Sequence, residues 1–306
     1  MAERILITGA SGLIGARLTE LLLQQGDEVV HVGRNQRPGR VPSYTWDVAK
    51  GVMDRRAVDS VDAIIHLAGA GIADKRWTKA RKKEILDSRV QSIGLLYEVL
   101  KKGNHQVTTF VSASAIGYYG FGDANKVFTE ASPAGVDFLA QVTKQWEEAS
   151  DKMNSIGIRV VKLRIGIVLS EKGGALKSMA APIKLGFGAA LGDGKQYMSC
   201  IHLDDLCGAF IKAVKDKSMQ GVYNAVAIPP VTNLELTRAI AKILKRPLWL
   251  PPVPAFVLKL MLGEMAALVT TGSKVSSEKI QKAGLRFMFP ELESSLRDLL
   301  RGSPHP

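Results

Sequence analysis

A doubly wound α/β fold, one mainly parallel sheet with helices on both faces, is what this sequence predicts, and three observations predict it. Short β-branched runs alternate with amphipathic stretches through the first half of the chain. Several of those runs are apolar almost without a break, as strands covered on both faces must be. A glycine-rich turn follows the first run directly. Right-handed crossovers then place such strands side by side in a single sheet.

Taken in order, Arg4–Thr8 reads as the first strand, Leu13–Gln25 as the first helix and Glu28–Val32 as the second strand. Ala63–Leu67, Thr109–Ser112 and Arg159–Leu163 are further buried strands, with helices expected over Lys79–Lys101 and Phe138–Ser155. Beyond about Arg164 the rhythm changes. Gly173, Gly174, Gly186, Gly188, Gly192 and Gly194 separate short apolar pieces that read as substrate-side loops. Val222–Ala225 is a strand that can return to the sheet, and Pro247, Pro251, Pro252 and Pro254 mark a rigid link to a last helical section. No internal repeat or low-complexity tract interrupts this pattern.

Composition narrows the class. The 306 residues are 46% hydrophobic, ample for a buried core, so disorder is not expected. From Met1–Arg4 the chain runs straight into Ile5-Leu6-Ile7, which reads as a strand rather than a secretory signal, so secretion is not expected. Phe256–Val269, broken by Lys259 and Glu264, is too short to span a bilayer. A soluble, cytoplasmic protein without membrane association is expected. Cys200 and Cys207 form no CxxC pair, and no cluster of His, Cys, Asp and Glu has metal-ligand spacing, so neither a disulfide framework nor a metal is expected.

The net charge of +12, from 41 Lys and Arg against 29 Asp and Glu, favours an anionic partner. The densest basic run, Lys79–Lys83, lacks interleaved aromatics to stack bases and reads as a solvated helix flank. Nucleic acid is therefore not the expected partner; a phosphorylated small molecule is.

Thr8-Gly9-Ala10-Ser11-Gly12-Leu13-Ile14-Gly15 lies where the first strand turns into the first helix, the context that gives glycine spacing its meaning. Gly9 permits the tight turn, Gly12 lets the backbone approach a pyrophosphate, and Gly15 lets the helix pack on the sheet. Ser11, Leu13 and Ile14 complete a turn whose free N–H groups face an anion. At the end of the second strand an acid would pair with the ribose hydroxyls of NAD, but no acid follows Glu28 until Asp47. The strand ends instead in Arg34, whose guanidinium can grip a 2′-phosphate, with Arg37 and Arg40 as helpers. NADP(H) is the predicted cofactor. Trp46-Asp47 after the third strand and Leu67-Ala68-Gly69-Ala70 after the next lie at strand C-termini, where such sheets bind ligands. Asp47, Leu67, Ala68 and Gly69 are thus expected to border the cofactor. The expected organisation is a Rossmann-type NADP-binding domain over residues 1–165 and a smaller C-terminal substrate-binding region over 166–306.

TGASGLIG, HLAGAG and SASAIGYYG, in this order, resemble the extended short-chain dehydrogenase/reductase superfamily, which includes sugar-nucleotide epimerases and dehydratases. RWTKARKKEILDSRV, FLAQVTKQWEEAS, LRIGIVLSEKGGAL, PAFVLKLMLGEMA and FMFPELESSLRDLL narrow the resemblance to an atypical epimerase-like branch of unknown substrate, sometimes labelled cell-division inhibitor. The resemblance implies a serine after the fifth strand that hydrogen-bonds substrate, which Ser114 matches. It also implies a tyrosine four residues before a lysine, the lysine and the nicotinamide charge bringing the phenol toward neutrality. Here that pair is broken. Counting back from Lys144 gives Ala140, and setting Glu147 on the family's helix glutamate puts Leu139 and Thr143 at the pair.

Two readings of the loss stay open. Either Tyr118 or Tyr119 replaces the proton donor, with Lys144 still at the cofactor ribose, or both rings pack the wall of the site. Arg164 and the following Gly166–Val168 fall, by resemblance, where the substrate and nicotinamide pockets meet. His202 is a candidate to face substrate, and Asp204 or Asp205 is expected to cap a helix starting near Leu206. The expected function is an NADP(H)-dependent oxidoreductase or epimerase-like enzyme acting on a sugar-like or nucleotide-linked substrate. The competing expectation is a non-catalytic NADP(H)-binding sensor or interaction protein that keeps the pocket without the tyrosine.

Overall fold

The computed structural model describes residues 2–121 and 126–301. Its centre is an eight-stranded sheet that is parallel except at one edge. The chain enters at the middle with β1 (Arg4–Thr8), whose Ile5, Leu6 and Ile7 are wholly buried, and crosses through α1 (Leu13–Gln24) to β2 (Glu28–Gly33). β3 (Ser43–Asp47) continues outward, and the short β4 (Val52–Met53) turns back antiparallel to close that edge. The chain then returns to the far side of β1 as β5 (Ala63–His66). After α2 (Lys79–Lys101) it adds β6 (Thr109–Ala115), which pairs with β5 in parallel.

A two-residue strand, β7 (Val127–Phe128), precedes α3 (Phe138–Asp151), and β8 (Arg159–Ile165) then lies along β6. β5, β6 and β8 are buried along almost their whole length, as central strands covered on both faces must be, and their polar side chains such as His66, Ser114 and Arg164 are buried with them. Each of the two long helices starts on a side chain that accepts an orphan N–H: Thr78 from Arg81 (3.1 Å) and Asp137 from Ala140 (3.0 Å).

Beyond β8 the chain forms β9 (Ile167–Leu169), α4 (Gly174–Lys184), β10 (Tyr197–Met198), β11 (Cys200–His202) and α5 (Leu203–Lys215) before β12 (Gly221–Ala225). β12 pairs in parallel with β8, the return to the sheet read from the apolar run at Val222–Ala225. α5 joins the main core through Leu206, Phe210 and Val214, and α6 (Asn233–Leu244) anchors a second core with Leu236 and Ile240 against Leu169 and Leu296. The sheet order β12-β8-β6-β5-β1-β2-β3-β4 reverses direction between β1 and β5, so the crevice above those two strands is the topological switch point.

The start of α5 corrects an expectation. The helix begins three residues earlier than the Asp preference of helix starts implied, and His202 caps it: its Nδ1 accepts the N–H of Asp204 at 3.1 Å. His202 is buried against the Phe289 ring, with Nε2 3.2 Å from Asp298 Oδ2, so it ties the C-terminal segment down and does not face a substrate. Asp204 pairs with Arg17 on α1, and Asp205 accepts the N–H groups of Met288 and Phe289. Among the described residues no helix is long and apolar enough to cross a membrane.

Candidate active site at the switch point

Two loops meet above the crevice. Gly9 takes φ +68°, a left-handed turn that an L side chain resists, and a Cβ there would stand 2.9 Å from the backbone carbon of Leu67. A Cβ on Gly15 would stand 2.6 Å from Gly9 O and Ala10 Cα, so the first turn of α1 lies against the loop with no room for a side chain. Gly12 serves as the helix N-cap without any side-chain partner, and no acid occupies the first turn. Ser11 and Gly12 are exposed, Leu13 and Ile14 half-buried. The unfilled N–H groups of that turn are thus open to an anion.

Across the crevice, Leu67 and Ala68 send their N–H groups to Thr8 Oγ1 at 3.1 and 3.2 Å, which joins the two loops; Gly69 is exposed above them. Arg34, Arg37 and Arg40 lie exposed in the loop between β2 and β3, with no ion pair among the described residues. Asp47 ends β3, but its carboxylate closes a turn on Lys50, whose N–H (3.1 Å) and Nζ (3.3 Å) hold it; that hydrogen bond to the Lys50 backbone lowers its pKa.

One cation in this region was invisible to motif reading. Arg89, only 7% exposed, rests over the Trp146 ring and under Gly69, and Nη1 donates to Ala70 O (3.0 Å) and Ile85 O (2.8 Å). No carboxylate lies within ion-pairing distance of it among the described residues, and its Nε has no partner. Burial, then the charge of Arg81, pulls its pKa down to about 10. A buried guanidinium without a counter-ion is costly unless a ligand supplies one. The signal was present in the periodicity: Arg81, Ile85, Arg89, Ile93 and Leu96 share the buried stripe of α2, so two arginines occupy apolar positions.

The second half of the site is a buried polar chain at the ends of β6, β8 and β12. Ser114 donates to Glu147 Oε1 at 2.6 Å, and Arg164 grips both oxygens of Glu147, Nε to Oε1 at 2.8 Å and Nη2 to Oε2 at 2.9 Å. Arg164 Nη1 continues to the Tyr119 hydroxyl at 3.1 Å, which donates to Asn224 Oδ1 at 2.6 Å. Burial works against the Arg164 charge, yet the bonds and charge of Glu147 outweigh it and raise its pKa. Burial likewise raises the Tyr119 pKa, against the pull of Arg164. The Tyr118 ring lies flat against the same guanidinium, 3.3 Å from Arg164 Cζ to its centroid, and is half-buried.

This geometry sorts the expected catalytic residues. Ser114 has its one proton engaged by Glu147, so its oxygen offers only a lone pair, suited to accept from a substrate hydroxyl. Tyr119 is tied at its hydroxyl in both directions and belongs to the wall. Tyr118 keeps a hydroxyl with no partner among the described residues.

The Lys144 side chain is 62% exposed, with Glu148 at 4.0 Å, whereas Leu139, Thr143 and Glu147 of the same helix are buried. Those three, spaced four apart, share the buried face with Ala140, Val142 and Trp146, and a Cβ on Gly117 in the Ser114–Tyr118 turn would touch Leu139 Cβ at 3.4 Å and Thr143 Oγ1 at 3.7 Å. Thus the register with Glu147 on the inside is the one the helix adopts. Arg164 holds Glu147, Tyr119 and the Tyr118 ring through its guanidinium.

Comparison with known proteins gives a consistent likeness. Residues 5–226 match the NAD dependent epimerase/dehydratase family, and residues 253–299 match a domain of unknown function, DUF1731. The chain is 34% identical over 299 residues to the epimerase family protein YfhF of Bacillus subtilis (strain 168), covering 97% of each. It superposes on human epimerase family protein SDR39U1 (isoform 2), crystallised with NADPH, with a TM-score of 0.87 and 32% identity over 98% of this chain and 100% of that one. The nucleoside-diphosphate sugar epimerase of Corynebacterium glutamicum gives a TM-score of 0.81 at 29% identity, over 98% of this chain and 58% of that one.

Proposed function

Because the chain belongs to the NAD dependent epimerase/dehydratase family, we propose that it is an NADP(H)-dependent oxidoreductase or epimerase-like enzyme acting on a sugar-like or nucleotide-linked substrate. Residues 1–165 are assigned to the cofactor and 166–306 to the substrate side. The observation that carries this reading is the switch-point crevice. There the Gly9–Gly15 turn meets the Leu67–Gly69 loop, and the loop after β2 carries Arg34, Arg37 and Arg40 and no acid. Support comes from the human relative crystallised with NADPH and from the nucleoside-diphosphate sugar epimerase it also resembles.

The residues present fit the cofactor. The N–H groups of Leu13 and Ile14 would hold its pyrophosphate, with Ser11 and Gly12 beside them, the Gly12 N–H closing the turn on Gly9 O. Arg34, aided by Arg37 and Arg40, would hold the 2′-phosphate, and an acid there would have repelled it. Leu67, Ala68 and Gly69 would border a ribose, Asp47 would stand at the rim, and Arg89 would gain the anion it lacks. When bound, the nicotinamide accepts or supplies hydride. Toward the substrate, the Ser114 oxygen orients a hydroxyl and the Tyr118 hydroxyl exchanges its proton, while Glu147 and Arg164 keep both in place.

The buried Leu139 and Thr143, at the positions of the family's tyrosine and lysine, favour a second reading: an NADP(H)-binding sensor without acid/base chemistry. Incubating the protein with NADP+ and a panel of nucleoside-diphosphate sugars, while following reduced-nicotinamide absorbance and the appearance of epimeric or oxidised sugar by NMR, separates the two. Turnover that falls with Tyr118→Phe supports the enzyme. Saturable NADPH binding with neither reduced nicotinamide nor a new sugar formed supports the sensor.

A further inference from the structure

We propose that His66 is a positioning residue: held in a single tautomer between Thr8 and Ser92, it locks the two loops of the switch-point crevice and the Arg89 turn of α2 into one unit for dinucleotide binding. The functional half of this proposal rests on the cofactor reading above; the tautomer does not.

The argument is a count of protons and lone pairs. Thr8 Oγ1 accepts the N–H of Ala68 at 3.2 Å and the nearer branch, at 3.1 Å, of a Leu67 N–H that also reaches Thr8 O at 3.3 Å, so both of its lone pairs face a donor. Its remaining valence is its own proton, and the His66 Nδ1 at 2.9 Å takes it. Nδ1 therefore carries no hydrogen, the proton sits on Nε2, and Nε2 donates to Ser92 Oγ at 3.1 Å. Ser92 in turn donates to the carbonyl of Ser88 at 2.8 Å, one turn back along α2. The opposite tautomer would bring a third donor to an oxygen with two lone pairs and leave the Thr8 proton without an acceptor.

A doubly protonated ring fails in the same way at Nδ1. Burial and the charge of Arg89 oppose it too, drawing the His66 pKa down to about 3. The ring is fully buried, stacked on Phe110 at 5.8 Å and met edge-on by Trp46 at 6.4 Å, so its plane is held by both neighbours.

The chain of bonds has a direction and three anchors: the loop after β1, the loop after β5 and the turn of α2 that carries Arg89. The two loops are already in contact, since a Cβ on Gly9 would reach Leu67 C at 2.9 Å. Turning the Leu67 and Ala68 N–H groups inward onto Thr8 leaves the outer side of that loop to the ligand. Misplacing either loop by even a small distance would spoil a donor set that must meet one rigid dinucleotide at several points.

The test uses the full-length protein labelled with 15N in its imidazole rings. Long-range 1H–15N correlation should show His66 with a pyridine-type Nδ1 and a pyrrole-type Nε2, unchanged between about pH 5 and about pH 8, across the range where an ordinary histidine titrates. Thr8→Val keeps the side-chain shape and removes the hydroxyl; it should weaken NADPH and NADH binding by the same factor, about tenfold, leaving their ratio as in the wild type. His66→Gln should do the same, and if it fails to fold, Thr8→Val carries the test. A pyrrole-type Nδ1, or a folded Thr8→Val protein that binds both dinucleotides as the wild type does, would overturn the proposal. If the wild type binds neither dinucleotide, the cofactor reading and the positioning role fall together. The tautomer is then judged on the spectrum alone.

Discussion

Replacing Glu147 by glutamine is the perturbation that asks most of the polar chain beneath the site. Glu147 and Arg164 are 7% and 3% exposed at their side chains, and the carboxylate accepts three hydrogen bonds, two from Arg164 and one from Ser114. Glutamine keeps the volume, but it removes the charge and turns an amide N–H toward a donor. An ion pair so buried is weak support for stability as a pair, yet breaking it leaves one charge uncompensated, at a cost of about 3–5 kcal/mol. At roughly 2–4 °C per kcal/mol for a chain of this order, Tm should fall by about 6–20 °C.

The companion variant, Glu147→Leu with Arg164→Met, removes both charges and should lie closer to the wild type than the single substitution does. Equilibrium urea unfolding followed by circular dichroism measures both. A single variant that loses less than about 1 kcal/mol, or a double variant that loses more than the single, would refute the claim that the two charges exist for each other.

Three further outcomes follow from the same geometry. Lys144→Ala should leave stability within about 0.5 kcal/mol of the wild type and NADPH affinity unchanged, because the side chain points to solvent; a tenfold loss of affinity by fluorescence titration would return Lys144 to the site. Gly15→Ala would place a methyl 2.6 Å from Gly9 O and should destabilise by about 1–3 kcal/mol with weaker dinucleotide binding, a wild-type melting curve being the contrary result. Stability should fall as pH drops from about 6.5 toward about 3, since the native state keeps His66 neutral while the unfolded chain takes the proton; the slope owed to His66 is up to about 1.4 kcal/mol per pH unit. A His66→Gln protein should lose that part of the slope, and an unaltered slope in urea unfolding over this range would contradict the buried neutral ring.

The elements set by period and punctuation were legible before any coordinates. β1 and α2 have the bounds that their apolar runs and flanking residues mark, and the Gly9–Gly15 turn stands where strand meets helix. What stayed hidden depends on contacts distant in sequence. Asp is the common residue at helix starts, so nothing local revealed that His202 caps α5 while Asp205 reaches residues 288 and 289. The choice between Leu139–Thr143 and Ala140–Lys144 as inner positions needed the rotation of α3, which the Ser114–Glu147 bond fixes. His66 opens HLAGAG and Arg89 lies in RWTKARKKEILDSRV, but neither segment by itself assigns the residue a role. Their places follow from the α2 stripe and from a hydrogen-bond count that only a folded chain allows.

The measurement that bears most directly on the central claim is calorimetric titration of the wild-type protein and Arg34→Ala with NADPH and NADH at one fixed salt concentration. NADPH should bind saturably and more tightly than NADH, and Arg34→Ala should erase most of that preference while leaving NADH binding nearly unchanged. NADH binding as tightly as NADPH, or a preference that survives the loss of Arg34, would contradict the account.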